Sequence, residues 1–290
     1  MKKFIIISNE IKDPGLEVAY GIKRYLSGKS CECEVLKLSD ISLKVGNKKR
    51  KTSEYFESAD ICIVLGGDGT MLEAAGILQD ISIDLLGINL GTLGYLTEIG
   101  RENIQTALDL VLKGDYRTEE RMMLEAEIET ADGRTSCTTL NDVIIARYGS
   151  IKLIALDVKV NNTLLYSYTA DGIILSTPTG STAYNMSVGG PIVEPTAELI
   201  LMTPIAPHEL SSRSIVLSAG DIVEVELKGR RKNTYEEAER SIAEVSLGGS
   251  SAVLLKPGDK VVCRKSKSVT RIVRLGSLSF MNTLHKKLDR

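Results

Sequence analysis

A chain of 290 residues, 43% hydrophobic and 26% charged, has room for two domains or one large one and the composition of a soluble globular protein. A net charge of −2, no tryptophan and three phenylalanines supply neither the basic surface nor the stacking platform that nucleic-acid binding needs. The five cysteines (31, 33, 62, 137, 263) form no disulfide pattern, and no apolar run is long enough to span a membrane, so the expectation is a cytoplasmic protein with no membrane partner.

The chain opens on an apolar strand, Phe4 to Ser8, and since this start lacks the length and cleavage site of a signal peptide it is expected to be part of the fold. After Pro14, Leu16, Ala19, Ile22 and Leu26 recur at helical spacing. Glu34 to Leu38 reads as a second strand. The polar stretch from Asp40 to Ser58 holds the one dense basic run, Lys48-Lys49-Arg50-Lys51, read as a solvated loop. Ile61 to Leu65 is a continuous apolar strand, as in a parallel sheet buried on both faces. Leu85 to Ile88 is a fourth strand. Asn103 to Leu112 is a helix with Ile104, Ala107, Leu108 and Val111 on one face. This alternation predicts a parallel sheet with helices on its faces, over residues 1–115.

From 116 to 277 the pattern changes to strands, with turns at Asp132-Gly133, Asn161-Asn162 and Pro257-Gly258-Asp259. This predicts an antiparallel, sandwich-like β domain. The tail, 278–290, is amphipathic through Phe280, Leu284 and Leu288 but too short to stand alone, so it should pack back on a domain.

Four clusters carry chemistry. Gly66-Gly67-Asp68-Gly69-Thr70 joins the third strand to a helix start near Met71. Glycines there let backbone approach phosphate, and the free N–H groups of a helix start favour negative charge. A carboxylate in such a turn would repel the anion. It fits a metal ligand, or a base for a hydroxyl being phosphorylated, and equally a helix-capping turn. An amide at 68 is expected to keep the shape of the turn. The second cluster is Asp171-Gly172, then Ser176-Thr177-Pro178-Thr179-Gly180-Ser181-Thr182-Ala183-Tyr184, where a strand empties into hydroxyl donors and a helix is expected near Ser181 or Thr182. Asn141-Asp142 stands before the apolar run Val143 to Ala146; it can grip a base edge and a ribose hydroxyl, or simply form an Asx turn. The fourth is the glycine-rich stretch Gly87 to Glu98. Neither common phosphate motif is present. Gly28-Lys29-Ser30 lacks the first P-loop glycine, since that position is Lys23, and Asn89 stands where G-x-G-x-x-G requires glycine.

Taken together, the clusters resemble the bacterial NAD kinase family, through Gly66–Thr70, Gly87–Gly91 with Gly94-Tyr95-Leu96, Asn141-Asp142, Asp171-Gly172, Ser176–Tyr184, Gly189-Gly190-Pro191-Ile192, Pro204–His208 and Asn282-Thr283-Leu284. The resemblance implies an N-terminal α/β phosphate-donor domain, a β-sandwich NAD-binding domain, and a tail returning to the first. It implies transfer of the γ-phosphate of ATP, or of a polyphosphate phosphoryl group, to the 2′-hydroxyl of the adenosine ribose of NAD, giving NADP. Mg²⁺ would accompany ATP, with no protein residue assigned as its ligand, and the assembly would be a homodimer or homotetramer. Asp68 would be the base, beside Gly67 and Gly69. Asn141, Asp142, Asp171, Thr182, Ala183, Tyr184, Asn185 and Ser187 would line the nucleotide pocket. Lys152 is a further basic contact, and Thr169 stands where many members carry Arg. Leu247-Gly248-Gly249-Ser250 replaces an expected acidic, glutamine-bearing turn, so that contact is absent or made by backbone. A lipid kinase with the same Gly-Gly-Asp-Gly-Thr turn, and a non-catalytic dinucleotide sensor, are the competing readings.

Overall fold

A computed structural model describes residues 2–41, 56, 58–92, 94–149, 152–209, 211–229, 242–248, 250–276 and 280–289; the basic run Lys48–Lys51 lies outside them. The chain divides into two compact units, residues 1–121 with 269–290, and residues 122–268.

The first unit is built on parallel strands β1 (Lys3–Ser8), β2 (Glu32–Lys37), β3 (Ile61–Gly66) and β4 (Asp84–Asn89), in the spatial order β2-β1-β3-β4. Uniform apolarity explains β3, in which every residue is buried. Helices α1 (Glu17–Gly28), α2 (Leu38–Ile41) and α3 (Asp68–Ile77) alternate with these strands, and a short β5 (Ile99–Gly100) leads to α4 (Ile104–Lys113). The stripe Ala19, Ile22 and Leu26 of α1 and the face Leu108 and Val111 of α4 share one core with Phe4, Ile6, Ile63, Leu65, Leu86 and Ile88. Because β2 and β3 flank β1 on opposite sides, the order reverses between β1 and β3. The loops leaving the carboxyl ends of those strands therefore open a crevice, the usual ligand position in such sheets.

The second unit holds the hairpin of β6 (Arg117–Thr130) and β7 (Gly133–Thr139), then β8 (Asp142–Arg147), β9 (Ile154–Val160), β10 (Thr163–Ala170), β11 (Gly172–Ser176) and a single helical turn α5 (Tyr184–Ser187). It continues through β12 (Leu199–Ile205), β13 (Ile215–Ser218), β14 (Val223–Lys228), β15 (Ala243–Leu247), β16 (Ser250–Leu255) and β17 (Lys260–Arg274). One antiparallel sheet runs β13-β12-β11-β8-β15-β16; facing it are β10-β9-β14 and the first half of β17. Val143, Ile145, Ile173, Leu175, Met202 and Val245 of the former interlock with Leu156, Val158, Val223, Val225 and Val261 of the latter. Asn161 and Asn162 both have positive φ, 50° and 66°, and close the β9–β10 hairpin as the sequence indicates.

The end of β17 returns to the first unit and pairs with β4 through Arg271 and Ile272. The final helix, α6 (Phe280–Leu288), lies against Tyr95: the Phe280 ring is 6.3 Å away and Lys287 Nζ stands 4.1 Å above the Tyr95 centroid. The tail thus packs on the α/β unit, as expected. The helix expected near Ser181 or Thr182 is present in short form, starting at Tyr184. The hydroxyl run starts no long helix; it forms a 3-10 turn, Thr179–Thr182, and the four-residue α5. Ala183 between them is non-helical (φ −96°, ψ −134°), and Gly189, Gly190 and Pro191 halt the chain soon after. Among the described residues no helix is long and apolar enough to cross a membrane.

Candidate phosphate and nucleotide sites

In the first unit Gly66 ends β3, Gly67 is extended, and α3 begins at Asp68, earlier than the sequence reading placed it. Thr70 clasps the turn: its Oγ1 receives Gly67 N at 3.4 Å and Asn9 Nδ2 at 3.1 Å. A Cβ on Gly66 would collide with the Thr70 side chain, so this glycine is set by packing. At Gly69, by contrast, a Cβ would meet nothing within 4 Å. Glycine there costs helix stability relative to alanine, and the protein's own packing does not require it.

Asp68 folds toward the segment after Gly94. Its Oδ1 accepts Leu96 N (3.0 Å), Thr97 N (3.2 Å) and Thr97 Oγ1 (3.1 Å), and its Oδ2 accepts Tyr95 N (2.7 Å). Asn89 supports this from behind by donating to Thr97 Oγ1 at 2.8 Å. A Cβ on Gly94 would sit 1.8 Å from the Asp68 carboxylate, so glycine at 94 is what lets the acid lie there. Arg274, only 5% exposed, braces the same segment by donating to the Tyr95 carbonyl (3.4 Å) while paired with Glu98 (2.8 Å) and Glu119 (3.0 Å). Burial pushes the Glu98 carboxyl up, and Arg274 offsets this only in part. Because four donors converge on Asp68, an amide at 68 is not neutral: it offers one oxygen and turns an N–H₂ toward backbone N–H groups. The expectation that Asn would preserve the turn is corrected accordingly.

The second unit brings together the Asn141-Asp142 and hydroxyl clusters. The Asn141 carbonyl accepts Thr177 N at 2.8 Å and Ser176 Oγ at 3.3 Å, and the Leu140 carbonyl accepts Thr177 Oγ1 at 2.7 Å. A Cβ on Gly180 would lie 2.4 Å from the Asn141 carbonyl oxygen, so the hydroxyl turn closes on Asn141 only with glycine at 180. Asp142 is buried at the start of β8, and burial raises its carboxyl to about 6. Gly248 N donates to the Asp142 carbonyl at 3.0 Å, so backbone of the glycine turn stands where an acidic turn was expected. Thr179 Oγ1 is buried without a hydrogen-bond partner, leaving a donor in the same turn.

The other expected residues divide. Asn185 is fully buried, donates to the Ser181 and Pro191 carbonyls, and accepts from Thr203 Oγ1 at 2.7 Å. It braces the turn from inside. Thr182 and Ala183 are half-buried, whereas Tyr184 and Ser187 are exposed on α5. Lys152 is exposed before β9. Asp171 is paired with Arg147 Nε at 2.5 Å. Arg147 is a cation that the sequence reading missed; it comes from the neighbouring strand, where Gly172 of β11 faces Ala146 of β8. Thr169 offers no charge, and its carbonyl accepts His208 N. Asp68, Gly67 and Gly69 belong to the first unit and the remaining expected residues to the second.

The ATP-NAD kinase N-terminal domain model matches residues 4–116, and the ATP-NAD kinase C-terminal domain model matches 140–275. The chain belongs to the ATP-NAD kinase family. Its relatives in this family include the NAD kinase of Lachnospira eligens, 36% identical over 301 residues and covering 99% of this chain and 100% of the relative. The NAD kinase of Agathobacter rectalis is 38% identical over 288 residues, 99% of each chain. Two solved ATP-NAD kinase-like folds superpose well. Yeast NADH kinase complexed with NADH has a TM-score of 0.84 at 22% identity, covering 100% of this chain and 88% of that one. An NAD kinase from Archaeoglobus fulgidus in complex with ATP has a TM-score of 0.75 at 23% identity, covering 99% and 98%.

Proposed function

We propose that this member of the family phosphorylates NAD to NADP by moving the γ-phosphoryl group of ATP, or a terminal phosphoryl group of polyphosphate, to the 2′-hydroxyl of the adenosine ribose. The observation that carries the reading is Asp68, a carboxylate held by fixed donors beside a glycine turn whose Gly69 is unexplained by packing.

The N–H groups at the start of α3 and the open surface at Gly69 would receive the donor phosphates. Asp68 Oδ1 already accepts three hydrogen bonds, whereas Oδ2 accepts one. A carboxylate oxygen takes about two donors comfortably, so Oδ2 is the atom with capacity for the ribose hydroxyl. As the 2′ oxygen bonds to the γ-phosphorus, its proton passes to Oδ2, and the bond from that phosphorus to the bridging oxygen breaks to release ADP. Asn141, Asp142 and the Thr177–Thr182 turn would bind NAD, with Lys152, Asp171, Ala183, Tyr184 and Ser187 at its margins and Asn185 acting through backbone.

Mg²⁺ would arrive with the donor phosphates. Among the described residues no group of three or more His, Cys, Asp or Glu side chains could cage a metal. A cytoplasmic homodimer or homotetramer supplying NADP completes the reading.

The test is incubation of purified protein with ATP, Mg²⁺ and NAD, followed by phosphorus NMR and a dehydrogenase that requires the 2′-phosphate. NADP should form, and the 2′-deoxy analogue of NAD should remain unphosphorylated, because a site built around a hydroxyl leaves buried partners unpaired without it. Phosphorylation of the 2′-deoxy analogue, or of a lipid in place of NAD, would overturn the reading.

A further inference from the structure

The loop after β1 is pinned at both ends. Asn9 N donates to the Leu65 carbonyl (3.0 Å), and the Asn9 carbonyl accepts Lys12 N (3.0 Å) and Asp13 N (2.9 Å). Asn9 Oδ1 accepts Ile11 N (3.0 Å), while its Nδ2 reaches Thr70 of the glycine turn. Asp13, 2% exposed, accepts Ser8 Oγ (2.9 Å), Val18 N (3.0 Å) and Ala19 N (3.1 Å), tying the loop to the start of α1. Lys12 lies between these two anchors. Its backbone is fixed, and its side chain extends over the turn: Nζ lies 2.6 Å from where a Cβ on Gly67 would stand.

An exposed lysine ordinarily extends into solvent or meets a carboxylate. Among the described residues no carboxylate pairs with Lys12. The ammonium rests on extended backbone between the ends of β1 and β3, where the strand order reverses, and glycine at 67 leaves room for it. The same turn carries Asp68, whose charge opposes an incoming polyanion. A cation is needed there to make the turn receptive, and lysine suits it as a compact, mobile point charge for phosphoryl oxygens.

We infer that Lys12 binds the terminal phosphoryl oxygens of the phosphate donor at the Gly66–Gly69 turn, offsetting the charge of Asp68. This rests on the kinase reading above. Lys12→Met, Lys12→Arg and wild type are compared by calorimetric binding of ATP with Mg²⁺, by steady-state kinetics with ATP and NAD varied separately, and by thermal melting. Lys12→Met is expected to weaken ATP binding and lower kcat/KM for ATP by about 10- to 100-fold, as losing one charge-assisted hydrogen bond does, with KM for NAD and the melting temperature unchanged. Lys12→Arg should recover most of the loss. Binding of ATP within twofold of wild type in Lys12→Met would overturn the inference, as would a loss that Arg does not repair or that falls equally on NAD. Wild-type protein that forms no NADP defeats the kinase reading itself; wild-type turnover with Lys12→Met unaffected defeats only the role of Lys12.

Discussion

Gly69→Ala separates a turn shaped for folding from a turn shaped for a ligand. Gly69 is the second residue of α3, exposed, and without a positive φ, and a methyl group on it meets no protein atom within 4 Å. Alanine is favoured over glycine in a helix by up to about 1 kcal/mol. For a unit of this size that corresponds to roughly 2–4 °C in Tm, so the variant should melt no lower than wild type. The same methyl group stands where donor phosphate would meet the α3 N–H groups. Each hydrogen bond to a charged group contributes about 1.5–3 kcal/mol, so displacing one should lower kcat/KM for ATP by roughly 10- to 150-fold. A coupled assay reading NADP, with ATP varied at saturating NAD, measures this beside a thermal melt. Unchanged kcat/KM in a protein of unchanged Tm would refute an approach of phosphate at Gly69; a fall in Tm of several degrees would refute the steric account.

Asp68→Asn should lower kcat by about 10²–10⁴-fold and also cost about 1–3 kcal/mol of stability, because one of the donors from Tyr95, Leu96 and Thr97 then faces an N–H₂; wild-type kcat in a folded variant would remove Asp68 from the chemistry. Asp142, raised to about 6 by burial, binds a proton in the folded state that the unfolded chain has released between about pH 4 and 6. Its contribution therefore favours folding at low pH and is lost as pH rises through 6. Asp142→Asn should accordingly gain Tm relative to wild type at pH 7 but not at pH 4.5; parallel Tm profiles would contradict this. Asn141→Ala should weaken NAD much more than ATP in paired titrations, and equal effects would count against the assignment. Gly180→Ala forces a methyl group into the Asn141 carbonyl, which is backbone and cannot swing away; overpacking of this kind costs about 1–3 kcal/mol and should lower Tm as well as NAD affinity, whereas a variant with wild-type Tm would show that the turn can open.

The parallel sheet is legible because a strand buried on both faces must be apolar through its length, as β3 is throughout and β1 is from Phe4 to Ile7. The tail is legible because nine amphipathic residues cannot bury a face alone. Contacts that depend on register or distant folding are not. The donors to Asp68 lie 27 to 29 residues downstream, with nothing local to mark a backbone N–H as one of them. Arg147 meets Asp171 because β8 and β11 pair in one register, and a two-residue shift would aim it elsewhere. The helix expected near Ser181 or Thr182 stays short, because hydroxyl residues cap helices and compete with them by the same hydrogen bonds; in the 179–187 stretch they close turns. Lys12 carries no motif, and only the anchored loop around it gives its position meaning.

The glycines of the motif regions answer two different demands, and an imagined methyl group distinguishes them. At Gly94 the methyl group would occupy the place of the Asp68 carboxylate, and at Gly180 that of the Asn141 carbonyl. Those glycines exist so that one part of the protein can touch another, and their loss is felt first as lost stability. At Gly69 the methyl group meets empty space, and at Gly67 it meets only the flexible end of Lys12. Nothing in the fold needs glycine at these two positions, and a helix start would be steadier with alanine at 69. What they keep open is a surface of backbone N–H groups beside a lysine and an acid, a combination that accepts a phosphoryl group on one side and a hydroxyl proton on the other.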